Sequence, residues 1–119
     1  MNAKTRTARA TLRQRSAATR TAARITRLGD ATLTSHAIAA GLTPRQARTV
    51  AGALRNAAHN LDIPGRTVDM HVKWRTHSRQ TGLVTAHRYT RADVARMAAQ
   101  YRPRIAAYRT ARQHLLLAA

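Results

Sequence analysis

Apolar positions recur along this chain with two different periods, and the switch between them organises everything else. Over residues 11–28, Leu12, Ala18, Ala22, Ile25 and Leu28 fall close to a helical spacing with Arg and Thr between them, and Gly29 follows as a stop. A basic amphipathic helix is predicted there. A short second helix is expected over residues 34–40, with Leu33 and Ile38 as its larger apolar groups, ending at Gly41. Thr43, Pro44 and Gln46 then give a two-part start signal: Thr with Gln three residues on makes a capping box, and Pro suits the first helical position. The third helix so begun should reach Ala58, because Ala47, Val50, Ala51, Leu54 and Ala58 form one apolar stripe, with Asn60 and then Pro64-Gly65 closing it.

Over residues 67–75 the period becomes two. Val68, Met70, Val72 and Trp74 alternate with Asp69, His71, Lys73 and Arg75, the pattern of a half-buried strand. A polar, basic segment at 76–82 separates it from a second β-prone run at 83–89, so a hairpin with a cationic tip is expected. Thr90 with Asp93 three residues on starts another helix, carried by Val94, Met97, Ala98 and Tyr101. Pro103 should break the chain near Arg102, leaving a last helix with Ile105, Tyr108 and Leu115-Leu116-Leu117. The fold class expected is mainly α with a small β-hairpin.

Charge changes the picture more than size does. The 119 residues suit one domain with a single core, but 22 Lys and Arg against 4 acids leave a formal net charge of +18. Twenty of those cations are Arg and the chain has 26 Ala, a bias that GC-rich codons favour; codons do not account for the scarcity of acids. Such an excess calls for a polyanionic partner, and nucleic acid is the expected one. Residues 1–10, with no large apolar side chain after Met1, read as a disordered basic arm. The first 28 residues imitate a mitochondrial transit peptide in composition, yet the same Ala/Arg bias continues to the C-terminus and no apolar leader core occurs. A cytoplasmic, nucleoid-associated protein is expected. No apolar run approaches the length of a membrane span.

Several chemistries lack their residues. There is no Cys, hence no disulfide, thiolate metal site or Cys nucleophile. The four Asp (Asp30, Asp62, Asp69, Asp93) are scattered and Glu is absent, so paired-carboxylate catalysis has no material. His71, His77 and His87 lack the companions of a metal site, and no Gly-rich phosphate loop occurs. Neither an enzyme nor a cofactor or metal is expected. Stacking platforms for single strands are poor too, with only Trp74, Tyr89, Tyr101 and Tyr108, and Trp74 falls on an apolar strand face.

The segment 34–50 resembles the helix-turn-helix family. Ala37 stands four positions before the turn glycine, Gly41, where that family places a small residue; Leu42, Ala47 and Val50 match its apolar positions, while His36 stands where an aliphatic residue is usual. With a hairpin following, the order is similar to winged helix-turn-helix proteins: an arm at 1–10, a winged core at 11–90 and a helical extension at 91–119. The resemblance implies double-stranded DNA as partner, with the third helix in the major groove. The residues it points to are Arg45, Gln46, Arg48 and Thr49 for base edges, since Arg can pair with guanine, Gln with adenine, and the Thr methyl with thymine. Arg55 is placed for phosphate, Arg75, His77 and Arg79 for the hairpin tip, and Arg13 and Arg20 for backbone contact from the first helix. Thr43 and Gln46 also have the plain role of caps. Tyr101, Ile105, Tyr108 and Leu115-Leu116-Leu117 suggest a homodimer contact, with docking on the chain's own core as the alternative. The expectation is a small bacterial, plasmid or phage transcriptional regulator; the alternatives are a sequence-indifferent nucleoid protein and a ribosome-associated RNA binder.

Overall fold

The computed structural model describes residues 2–73 and 81–119. In chain order its elements are α1 (Ala3–Leu28), α2 (Leu33–Ala39), α3 (Pro44–Leu61), a hairpin of β1 (Arg66–Lys73) and β2 (Thr81–Arg88), α4 (Arg91–Gln100) and α5 (Ala106–Leu117). The mainly helical class with one small antiparallel sheet is as the periodicities indicate.

One core joins α2, α3, α4 and α5. Val50 and Leu54 of α3, Ala37 of α2, Val94, Met97 and Ala98 of α4, and Ala111 and Leu115 of α5 are buried together. Residues 91–119 are therefore packed into the same core as the helices before them rather than appended to it. Tyr101, Tyr108 and Leu116 lie half-buried against this core, whereas Ile105 and Leu117 stand in solvent. Arg112 fastens α5 to α4 by donating from its Nε to the Ala98 carbonyl, which also accepts the N–H of Tyr101 where α4 ends.

α1 differs from the expected disordered arm. It begins at Ala3, where the Asn2 side chain accepts from the Thr5 N–H at 2.9 Å. Along it, Thr7, Thr11, Thr19 and Thr26 return their hydroxyls to carbonyls four residues back, sharing acceptors that the helix's own N–H groups use. Composition argued for disorder because residues 1–10 carry no large apolar side chain after Met1, but the helix begun at Asn2 continues without a break into the predicted amphipathic stretch, and a like-charge pair such as Arg9–Arg13 costs only about 0.2–0.5 kcal/mol. Ile25 anchors the C-terminal half in the protein. Further up the helix, the Gln14 amide donates to the Gly41 carbonyl in the turn between α2 and α3.

α2 starts one residue earlier than its pattern indicates, because Thr32 rather than Leu33 supplies the cap. His36 is 3 % exposed. Its place is the one where an aliphatic side chain is usual, and the imidazole occupies it by directing Nε2 at the Tyr89 carbonyl, 2.7 Å away. α3 begins with the predicted capping box, Gln46 N–H to Thr43 Oγ1 at 3.3 Å and Thr43 N–H to Gln46 Oε1 at 3.1 Å. It passes the expected stop at Asn60 and ends on Asp62, which takes the left-handed conformation at φ 57°.

The hairpin is the largest departure. Its pairing sets Val68 opposite Ala86 and Met70 opposite Val84, giving one apolar face as the alternation predicts. Toward its outer end that face is open, with Met70 49 % and Val84 40 % exposed, while Val68 and Ala86 nearer the root are half-buried. A period of two reports which residues share a face, and says nothing about whether another layer lies over it. The ribbon is held at its root. Ala31, between α1 and α2, pairs with Tyr89 through two hydrogen bonds of 3.1 and 2.8 Å, adding a one-residue third strand to the end of the hairpin. Gly65 enters this junction at φ 67°, where a Cβ would meet the Tyr89 ring at 2.7 Å and the Arg88 carbonyl at 2.8 Å, so both conformation and space demand glycine.

Candidate nucleic-acid interface

α3 buries Ala47, Val50, Ala51, Leu54, Ala57 and Ala58. At about 100° per residue, that stripe turns Arg45, Arg48, Thr49, Arg55, Asn56 and His59 to the opposite side within one sector of about 120°. All six are exposed. Gly52 sits in the same sector without a side chain to fill it. No acidic residue occurs anywhere in α3, or in α1. Gln46, expected to face bases, is half-buried, and the carbonyl end of its amide is committed to the capping box. The Thr49 hydroxyl leans back on the Arg45 carbonyl at 3.4 Å, which leaves its methyl toward the outside of the turn.

Arg13 and Arg20 are exposed on α1. A cleft of about 570 Å³ runs between α1 and the start of α3, walled by Arg13, Gln14, Arg20 and Thr21 on one side and by Leu42, Thr43 and Pro44 on the other. The structure thus brings Arg13 and Arg20 to the same side of the molecule as the N-terminus of α3. Arg75, His77 and Arg79, with Trp74, lie outside the described residues.

Three of the four acids have side-chain partners within the protein. Asp30 follows the end of α1 and accepts from Arg66 Nε at 2.7 Å and from Arg88 Nε at 2.8 Å. A second Arg88 nitrogen donates to the Asp30 backbone carbonyl at 2.7 Å. Arg66 and Arg88 stand directly opposite each other across the ladder, so without a shared carboxylate their like charges would push the strands apart. The hydrogen bonds from the two guanidinium groups, Arg66 first, hold the Asp30 carboxyl far below the usual carboxylate range, and the same bond holds Arg66 above its ordinary value. Asp69 accepts from the Thr85 hydroxyl, and Asp93 lies 3.9 Å from Arg96.

Arginine accordingly has two roles here. Arg66, Arg88, Arg91 and Arg112 are internal fasteners; Arg91 reaches from α4 to the Thr26 hydroxyl and the Ala22 carbonyl of α1. Arg45, Arg48, Arg55, Arg13 and Arg20 project into solvent. Counting residue types could not separate these classes. What the sequence reading passed over is the register of Arg in α1: positions 6, 13, 20 and 27 repeat every seven residues, with 9 and 24 beside them.

Among the described residues, no cluster of three or more His and Asp could hold a metal ion, and no helix is long and apolar enough to cross a membrane. No protein-family model matches the chain, and no curated protein or solved structure matches it either.

Proposed function

We propose that the protein is a sequence-specific reader of double-stranded DNA, a winged helix-turn-helix of the kind that regulates transcription from a small bacterial, plasmid or phage genome. The observation that carries this reading is the solvent face of α3: Arg45, Arg48 and Thr49, at the capped start of a helix whose other side is wholly engaged in the core, with no acid along its length. An α-helix fits the major groove of B-DNA, and cations near its start are placed for base edges while Arg55, further along, meets phosphate. The winged part of the reading is supported by the order helix, single bridge residue, helix, helix, hairpin. The pairing of Ala31 with Tyr89 ties the root of the hairpin to the residues just before α2, an arrangement in keeping with a wing. The exposed end of the ribbon, Met70 and Val84 included, then faces nucleic acid rather than protein core.

Arg48→Ala separates base reading from charge. A bidentate Arg–guanine pair is worth about 1–3 kcal/mol of discrimination, so Arg48→Ala should weaken the preferred site about 5- to 140-fold more than it weakens random duplex. Arg13→Ala should weaken both alike. The preferred site would come from selection out of a random duplex pool at about 150 mM salt with excess competitor. Enrichment of one motif supports the reading. Tight binding without enrichment replaces it with a sequence-indifferent packaging protein, and tighter binding to duplex RNA replaces it with an RNA binder.

A further inference from the structure

We infer that α1 is a second, sequence-indifferent contact surface, a rigid ridge of arginines that grips the phosphate backbone of duplex DNA beyond the stretch covered by α3. The inference rests on the duplex-binding reading above and adds to it four residues, Arg6, Arg9, Arg24 and Arg27, that base recognition does not use.

The register is the first ground. Arg6, Arg13, Arg20 and Arg27 recur every seven residues, and Arg9 and Arg24 fill the adjoining turns. A straight helix drifts about 20° per heptad, so all six lie within a strip about 60° wide. The buried Ile25 and the half-buried Ala18 and Ala22 lie on the other side of the helix. All six arginines are exposed, and among the described residues none has a side-chain hydrogen bond or ion pair. This contrasts with Arg66, Arg88, Arg91 and Arg112, which are bound to protein acceptors.

Length and placement are the second. From Arg6 to Arg27 the ridge covers about 32 Å of helix axis at about 1.5 Å per residue, close to one turn of B-DNA at about 34–36 Å. Arg13 and Arg20 border the cleft that Thr43 and Pro44 border from α3, so ridge and recognition helix open to the same side. The first eleven residues of α1, 3–13, have no buried side chain at all. A bare helical strut with most of its cations on one face and no acid is suited to a polyphosphate, and a duplex supplies about one charge per 1.7 Å of axis. The arrangement is not suited to base reading, because consecutive ridge arginines stand about one or two turns apart along a helix placed on the backbone rather than in the groove.

The test compares two full-length variants carrying the same change in charge. One is Arg6→Gln, Arg9→Gln, Arg24→Gln and Arg27→Gln together; the other is Lys4→Gln, Arg15→Gln, Arg96→Gln and Arg104→Gln, four exposed cations off the ridge. Glutamine keeps helix propensity, and circular dichroism checks that helix content matches the unaltered protein. Each is titrated by fluorescence anisotropy with a labelled random-sequence DNA duplex about three turns long, across a series of salt concentrations. Each phosphate contact contributes about 0.9 to the slope of log affinity against log salt, so the ridge variant should flatten it by about 3–4 and the other by less than about 1. Equal flattening overturns the ridge, since net charge alone would then account for it. An unchanged slope in the ridge variant, with the native protein still binding the duplex, overturns the ridge and leaves the α3 reading standing. If the native protein fails to bind duplex DNA at all, the underlying reading falls and the ridge with it. A parallel titration with duplex RNA that shows the larger ridge-dependent slope change overturns DNA as the occupant.

Discussion

His36→Leu tests whether the hairpin is held through a neutral, buried imidazole. The Tyr89 carbonyl is an acceptor, so the His36 Nε2 that lies 2.7 Å from it carries the proton and donates. Burial is the main reason the His36 pKa lies below the ordinary histidine value; Arg91 and Arg88 push the same way, and the Tyr89 bond and Asp30 oppose them. In the unfolded chain the ring titrates near pH 6.5. Below that pH the unfolded state therefore holds more protons than the folded one. Stability from this group is complete above about pH 6.5 and is lost on acidification until the lower folded-state pKa has been passed. Within that window the slope is at most about 1.4 kcal/mol per pH unit. Leucine abolishes the slope. Above pH 7 it costs the net value of one hydrogen bond, about 0.5–1.5 kcal/mol, and the lower end applies because Tyr89 O keeps the Ala31 N–H at 3.1 Å. Urea unfolding of both proteins between about pH 7.5 and pH 5 measures the difference, in which contributions common to both cancel. The native protein should be more stable at the neutral end, with the gap closing and then reversing in acid. A gap that stays constant over the whole range refutes the reasoning.

Three further outcomes follow from packing and charge. Leu54→Ala, at a position with 0 % exposure in the centre of the α3 stripe, should cost about 2–5 kcal/mol in denaturant unfolding. Gly65→Ala forces a Cβ into a left-handed residue and against Tyr89 and Arg88; the conformation alone costs about 1–2 kcal/mol, and a melting temperature equal to that of the native protein would contradict the close contact. Asp30→Asn leaves Arg66 facing Arg88 without a carboxylate, so amide exchange at Ala31 and Tyr89 should quicken while α3 keeps its protection. Because the Asp30 carboxyl is held low, its stabilising effect in the native protein is present above about pH 4, is lost as pH falls, and should be missing from the variant.

What could be read from the sequence is what neighbours in the chain decide. Thr43, Pro44 and Gln46 specify a helix start by themselves, and Val50 and Leu54 name its buried side, so the solvent face with Arg45 and Arg48 followed directly. Pro103 likewise marks the separation of α4 from α5. The junction at the hairpin root was not legible. Nothing local distinguishes Asp30 from the other acids, or Arg88 from Arg45, until residues far apart in the chain meet. His36 looked out of place for the same reason, since its partner is a backbone carbonyl, and any residue carries one. Met70 and Val84 show the complementary limit: alternation fixed their face, and only the placement of the hairpin relative to the helices decides that the face is open.

That junction also bears on the order in which the molecule assembles. Asp30 and Arg88 are separated by 58 residues, and His36 and Tyr89 by 53, so both ties close large loops, whereas the helices gain most of their bonds from near neighbours. Loop entropy must be surrendered before such contacts return anything, which places them after the helical core on the way to the native state. Weakening them should leave the refolding rate nearly unchanged and hasten unfolding. The lifetime of the junction between hairpin and helices is thus set by a few bonds around Tyr89, at the margin of the core, rather than by the helix packing as a whole.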